Sequence, residues 1–568
     1  MTDMSTPDPL REARSMLRAV SVAGALSLLI TFVWLVAPLG SSAGSALLGS
    51  SFYIPDDLLN LAILEWGRVS LVTGQWNVFQ WPAGFPITNS LAGTETLLGW
   101  QWLYTPARAV GLSMVGAINL CVIVSFGISG AAAALMAGEL GVPVRGTVVA
   151  GLVFALSPLH VGLMIQFQSL ALCWLPLTFW SLHRFLVTEH RSYVYLLAFS
   201  VVLTSLSSMY YGIFSVLLGF LWIVIDAFST RRLPNRAVRN GLFLAGALML
   251  MTMLPVVLHY LQFARTQGFN YPLSQHVARS LSLVQLTQMP DWLVLGQVLP
   301  LGTKGGAFPG VVVLALAGAA ILCRTEIGGR TVTLLAFLAA ICVTLSLGPL
   351  LKVHDYPALG ERVLLPGRLL VVIPGLRVPS RWLSCALVFV SPLAGWGAAC
   401  LLARARPRMQ RLLLAIVVTA FLAESWPSTR VAEDSAKPAL PLALSGAYRW
   451  LHDVQPGGIS VELPSADADG ASNYVMSRYV YGAVGHGQPV VSYYASHQLP
   501  LLSELQAAAE RLPSPDALAL LKRSGVMRVI LHKPLMKLSD YNNRTALLKG
   551  AAYRVEFDGN DAIVFGWP

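Results

Sequence analysis

Residues 51–66 read SFYIPDDLLNLAILEW. Pro55 sets the direction of the chain, two adjacent carboxylates follow at Asp56 and Asp57, and LLNLAILEW reads as the first turns of a helix. A helix opening favours acid, because its exposed N–H groups and its dipole attract negative charge. Asp56 is therefore either a plain N-cap or a reactive carboxylate. The chain around it has to decide between the two.

The 568 residues are 55% hydrophobic and only 12% charged, with a mean hydropathy of +0.63. A soluble protein carries roughly 25% charged residues, so this is an integral membrane protein. The net charge is +11, yet basic and acidic residues balance at 13 each from residue 425 onward. The excess thus belongs to the membrane part, where topology explains most of it, and it does not point to nucleic acid. All six cysteines fall in apolar runs without CxxC spacing. Neither a disulfide frame nor a zinc site is suggested.

Upstream of the opening stretch, the apolar run Ala19–Ala37 follows Arg11, Arg14 and Arg18. It is long enough to span a bilayer and longer than the apolar core of a signal peptide, so it reads as an uncleaved first span with the N-terminus inside. Downstream, apolar runs recur at about 114–137, 147–165, 169–187, 194–208, 211–228, 240–261, 307–323, 331–349, 382–404 and 411–424, making eleven in all. Basic residues gather in alternate loops, at Arg145, Arg184 with Arg191, 231–239, Arg324 with Arg330, and 404–411. By the positive-inside rule these are the cytoplasmic loops.

The expected fold is mainly α: a polytopic transmembrane helical bundle over 1–424, then an extracytoplasmic α/β domain over 425–568. RVAEDSAKPALPLA reads as its linker. In the domain ISVELP, PVVSYY, RVILH, YRVEF and AIVFGW read as strands, and AYRWLHDV, NYVMSRYVYGAV, LPLLSELQAAAERL and SPDALALLKRSG as helices. Its polar residues Glu462, Tyr493, Tyr494, His497 and His532 form no nucleophile motif, so it reads as a packing or acceptor-binding domain.

The outer loops carry the remaining polar chemistry. The first, 39–112, is rich in tryptophan and too long for a mere connector, and 57–72 and TETLLGWQWLY read as helices along the membrane–water interface. Residues 157–169 hold His160, Gln166 and Gln168, and 262–306 include Arg265, Arg279, Asp291, Trp292 and Lys304. The loop 350–381 carries Lys352, His354, Arg362, Arg368, Arg377 and Arg381, against the topology rule. A solvated or anionic-lipid-facing loop would account for it. So would a phosphate clamp, because the Arg fork suits phosphate oxygens.

Read in order, YIPDDLLNLAILEW, FQWPAGFPITNSLAGTETLLGWQWLY, FALSPLH, LCWLPLTFW, SSMYYG, GPLL, VPSRW and the VELP…PVVSYY…GVMRVILH tail resemble bacterial membrane proteins related to the GT-C glycosyltransferases, similar to the family 39 type. The resemblance runs over nearly the whole chain and rests on the order of the motifs. It implies a transmembrane core with the active site on the outer face of the bacterial inner membrane. A sugar would pass from a polyprenyl-phosphate carrier to a lipid, glycan or protein acceptor. It also implies that Asp56, Asp57 and Glu95 of the first outer loop are catalytic, with Asp56 favoured by motif alignment. Asp57 departs from the pattern, which often has a small residue or Pro there. Asn60, His160, Tyr210, Tyr211, Arg377 and Arg381 are the expected substrate-binding residues.

The chemistry suits these residues. Transfer from a glycosyl phosphate needs a base for the acceptor proton and cations for the departing phosphate. A buried, like-charged neighbour can raise the pKa of a carboxylate toward a useful value. No cofactor is clearly called for; the three carboxylates could hold a divalent cation, and they also work without one. A transporter or a non-catalytic binder of lipid-linked glycans is the alternative. A transporter would more often place charges within its spans, and these are nearly charge-free.

Overall fold

The computed structural model describes every residue except 1–8, 45–46, 49–53, 232, 269–270, 299–306, 355–362, 374, 429–445, 455–456, 468–469, 496, 498 and 568. Lys304, Arg362, Arg232 and the linker at 430–443 therefore lie outside the described residues. The chain divides into two compact units. The first comprises Met1–Gly49, Asn119–Leu254 and Asn270–Ala436, and the second Ser50–Ile118, Pro255–Phe269 and Lys437–Pro568.

Helices stand at all eleven positions where spans were expected. Eight are long and apolar enough to cross a membrane, beginning with Ala13–Gly40, which includes most of α1 (Pro9–Thr31), and ending with Pro379–Arg404. Arg191–Ser207 and Val311–Leu322 are apolar but shorter. The last, Pro407–Ser425, has the length, but Arg408, Arg411 and Glu424 put charge into it.

In the first unit the helix Trp382–Arg404 is buried almost throughout. It packs against Val144–Leu156, Val311–Leu322 and Gly329–Ser346. In lipid, helices are drawn together by close packing, which small residues permit. A Cβ on Gly395 would lie 2.5 Å from the Gly146 carbonyl oxygen, and one on Gly397 would lie 1.8 Å from that of Leu316. These glycines let backbones meet where a side chain would wedge them apart. All six cysteines are buried and none forms a disulfide.

The second unit is built on α2 (Ile54–Thr73). It was expected to lie along an interface, which would leave one apolar face open. Instead Leu58, Leu61, Ala62, Ile63 and Leu64 are all buried, because α2 packs against the helix Ser472–His486 and against α3 (Gln101–Ala109). Each buried leucine contributes roughly 1.5–3 kcal/mol, so α2 is a core helix of this unit. Only its far end is open: Leu71 and Val72 are exposed, as is Trp76 just beyond. The second expected helix is shorter than TETLLGWQWLY suggested. Residues 94–97 are irregular, Leu97 takes a left-handed φ of 53°, and helical turns begin at Leu98.

The C-terminal residues form a four-stranded sheet: β1 (Ile459–Leu463), β2 (Val526–His532), β3 (Arg554–Asp558) and β4 (Ala562–Gly566), in the order β1-β2-β4-β3. β1 and β2 are parallel, and the other two pairs are antiparallel. PVVSYY is not a full strand but bridges two elements. Val490 pairs with Ser460 of β1 on one side and with Ala83 of the first outer loop on the other. Val490 N–H donates to the Pro82 carbonyl at 2.8 Å and Phe85 N–H to the Val490 carbonyl at 2.9 Å, so the loop continues the sheet edge.

Candidate functional site

The acidic head of α2 lies in the second unit. Asp56 and Asp57 both fall in its first turn, where the orphan N–H groups of the helix favour negative charge. The helix starts at Ile54, so neither aspartate is the residue that precedes it. Their surroundings differ sharply. Asp57 is 7% exposed, and among the described residues its Oδ2 has no hydrogen-bond partner. Burial, and then the neighbouring Asp56 carboxylate, hold Asp57 well above the usual aspartate range. Asp56 is half-buried and accepts a hydrogen bond at 2.7 Å from the Tyr494 hydroxyl. One turn along, Asn60 shares their face of the helix and is buried.

About three turns further along α2 lies an ion-paired cluster. Glu65 accepts from Arg68 at 2.7 Å, from Arg108 at 3.2 Å and from the Tyr104 hydroxyl at 2.9 Å. Burial alone would raise Glu65, but these hydrogen bonds outweigh it and hold the carboxyl below its ordinary range. The same burial pushes the Tyr104 phenol up, which keeps it a donor. The cluster ties α2 to α3 at about the fourth turn of α2.

Glu95, the third expected acid, is half-buried in the irregular stretch after the short helical turn Ser90–Gly93. The Tyr260 hydroxyl donates at 2.8 Å to the carbonyl of Thr94 beside it. Among the described residues no three His, Cys, Asp or Glu side chains gather as a metal-binding set. Asp56, Asp57 and Glu95 are thus not gathered into one such set.

The expected cationic residues lie in the first unit. Arg381 sets its guanidinium 4.4 Å above the Tyr210 ring and reaches Gln166 Oε1 at 3.5 Å. Arg377 lies 5.3 Å above the Tyr271 ring, and its backbone N–H donates to the Tyr210 hydroxyl at 3.1 Å. Tyr210 thus joins both arginines, and it lines a small pocket with His276, Val378 and Trp382 among others. Tyr211 is fully buried, with its hydroxyl 2.9 Å from Ser384 Oγ. His160 is fully buried too. Its Nδ1 meets the Phe154 carbonyl at 2.8 Å, it packs on Phe126 and Phe154, and its Nε2 has no partner. Lys352 is buried, whereas Arg368 and His354 are exposed, so the basic loop is not one solvated patch.

Sequence reasoning missed two features of the acidic site. Tyr494 was read as part of a separate domain, and Glu65, Arg68, Tyr104 and Arg108 were not read as a cluster. The one sequence signal for Tyr494 was its place in PVVSYY, a motif of the resemblance. Glu65 and Arg68 have the i, i+3 spacing of a helical ion pair, which does not reveal Arg108.

No family model matches the chain, and no curated protein matches it. Among solved structures, the mycobacterial arabinofuranosyltransferase AftD matches over 97% of this chain and 40% of its own, with a TM-score of 0.61 and 14% identity. Its R1389S mutant matches over 91% of this chain and 36% of its own, with a TM-score of 0.53 and 16% identity. The oligosaccharyltransferase AglB from Archaeoglobus fulgidus, with a TM-score of 0.45 at 10% identity, is too distant to add weight. The chain spans about two fifths of the length of the AftD structures it matches. The chain shares the fold of the AftD structures, a helical bundle with a small sheet in its C-terminal region.

Proposed function

We propose that this chain is a membrane glycosyltransferase that moves a sugar from a polyprenyl-phosphate carrier to a lipid, glycan or protein acceptor. It works at the outer face of a bacterial inner membrane, with its N-terminus in the cytoplasm and residues 425–568 outside as a periplasmic α/β domain. The observation that carries this reading is the pair Asp56 and Asp57 at the head of α2. Two adjacent carboxyls in unlike surroundings take unlike roles: burial favours the protonated form of Asp57, and Asp56, held by Tyr494, is assigned as the base.

In the proposed reaction Asp56 takes the proton of the acceptor hydroxyl as the acceptor oxygen bonds to the anomeric carbon. The bond from that carbon to the phosphate oxygen breaks, and its electron pair leaves with the polyprenyl phosphate. The anomeric carbon becomes cation-like on the way, as in other glycosyl transfers. Glu95 is assigned to the acceptor side and Asn60 to orienting the pair. Arg377 and Arg381, held by Tyr210, are assigned to the carrier phosphate. His160 and Tyr211 are fully buried, His160 against Phe126 and Phe154 and Tyr211 against Ser384, and are assigned to shaping the substrate site from within.

Membranes containing the protein should transfer label from a polyprenyl-phosphate sugar. Asp56→Asn should abolish the transfer while the protein still accumulates, because Asn remains a good residue for a helix start but is no base. Wild-type membranes that move no label from any such donor, or an Asp56→Asn protein with full activity, would overturn the reading.

A further inference from the structure

The C-terminal domain was read as a packing or acceptor-binding module, yet one of its side chains reaches the acidic head of α2. The Tyr494 hydroxyl donates to Asp56 Oδ1 at 2.7 Å across a sequence separation of 438 residues. The backbone that carries it is held on several sides. Val491 N–H donates to the Ser460 carbonyl at 3.0 Å, and Gly84 N–H donates to the Ser492 carbonyl at 3.0 Å. Ser492 Oγ reaches buried Glu462 at 3.3 Å, and the Tyr493 hydroxyl donates to the Ser90 carbonyl at 3.1 Å. Gly93 lies so close that a Cβ there would fall 1.9 Å from the Tyr493 hydroxyl. So many attachments on so short a segment fix where the Tyr494 ring can stand.

We propose that Tyr494 is a positioning residue for Asp56: it holds Oδ1 and turns Oδ2 toward the acceptor hydroxyl, so the C-terminal domain completes the acidic site. This rests on Asp56 being the base. Tyr104 and Arg108 of α3 turn to Glu65, and Tyr481 of the helix Ser472–His486 feels that same Glu65–Arg108 pair. On α2 itself Asp57 is the neighbour, and on the C-terminal segment it is Tyr494.

The test is Tyr494→Phe in the full chain, which removes one oxygen and keeps the ring. Yield and the donor KM should be unchanged. The value of kcat should fall about tenfold, and the acid limb of its pH profile should move up by about one pH unit, the scale of losing one charge-assisted hydrogen bond. A merely structural tyrosine would lower yield and leave that limb in place. A second readout needs no activity: carbodiimide labelling of Asp56 against pH, followed by mass spectrometry on protein in nanodiscs. Its midpoint should rise in Tyr494→Phe, because the lost hydrogen bond favoured the ionised carboxylate. An unmoved midpoint, or a moved midpoint with an unmoved acid limb, overturns the proposal. Transfer retained by Asp56→Asn would instead overturn the base assignment, while the labelling midpoint still reads the Tyr494–Asp56 bond by itself.

Discussion

Asp57→Asn separates the two aspartates. The side chain is buried, and its Oδ2 lacks a partner among the described residues. Asn has the shape of a protonated Asp, the form that burial favours at position 57, so the replacement should change little. The variant should retain transfer within about tenfold of wild type, under about 1.4 kcal/mol of barrier. Asp56→Asn, which removes the proposed base, should lose about 10²–10⁴-fold. Stability gives an independent sign. Folded Asp57 holds its proton above the pH at which the unfolded chain releases it. Folding therefore takes up a proton in that window, and stability falls as pH rises from the ordinary aspartate range toward the folded value. Asp57→Asn should remove this fall and be relatively more stable at the high end. The assay is label transfer from a polyprenyl-phosphate sugar, with hydrogen exchange of α2 followed against pH. If Asp57→Asn loses a hundredfold while Asp56→Asn stays active, or α2 protection shows no difference in pH slope, the assignment is refuted.

Three further outcomes follow from particular contacts. Arg381→Lys keeps the charge but loses the flat stack on Tyr210 and the fork, so the apparent donor KM should rise about 5–30-fold with little change for the acceptor; unchanged donor kinetics in both Arg381→Lys and Arg381→Ala would place the clamp elsewhere. Glu65→Gln leaves Arg68 and Arg108, each about a quarter exposed, without their carboxylate, and should lower the protection of α2 and α3 against hydrogen exchange by about 2–4 kcal/mol, where no loss would show the cluster to be idle. A phosphatase reporter fused after Ser425 should be active outside the cytoplasm and one fused in the 231–239 loop should not; the reverse pattern would overturn the orientation.

Hydropathy and charge, read along the chain alone, determined that this is a membrane protein, where its helices stand and where its sheet begins. These are local properties: an apolar run long enough for a bilayer needs no partner to be recognised, and period-two strands such as RVILH and AIVFGW announce themselves. The helix Leu538–Gly550 escaped because it is polar on nearly every side and carries little periodic signal. Sequence also singled out Asp56 and Asp57, through their place at a helix start. It did not tell the two apart, because that difference lies in burial and in a phenol 438 residues away. Only the tertiary structure decided that α2 is a core helix, that the first outer loop extends the C-terminal sheet, and that Glu65 gathers three donors. Hydrogen bonds and desolvation depend on which groups meet in space. The order of residues does not state that until the chain has folded.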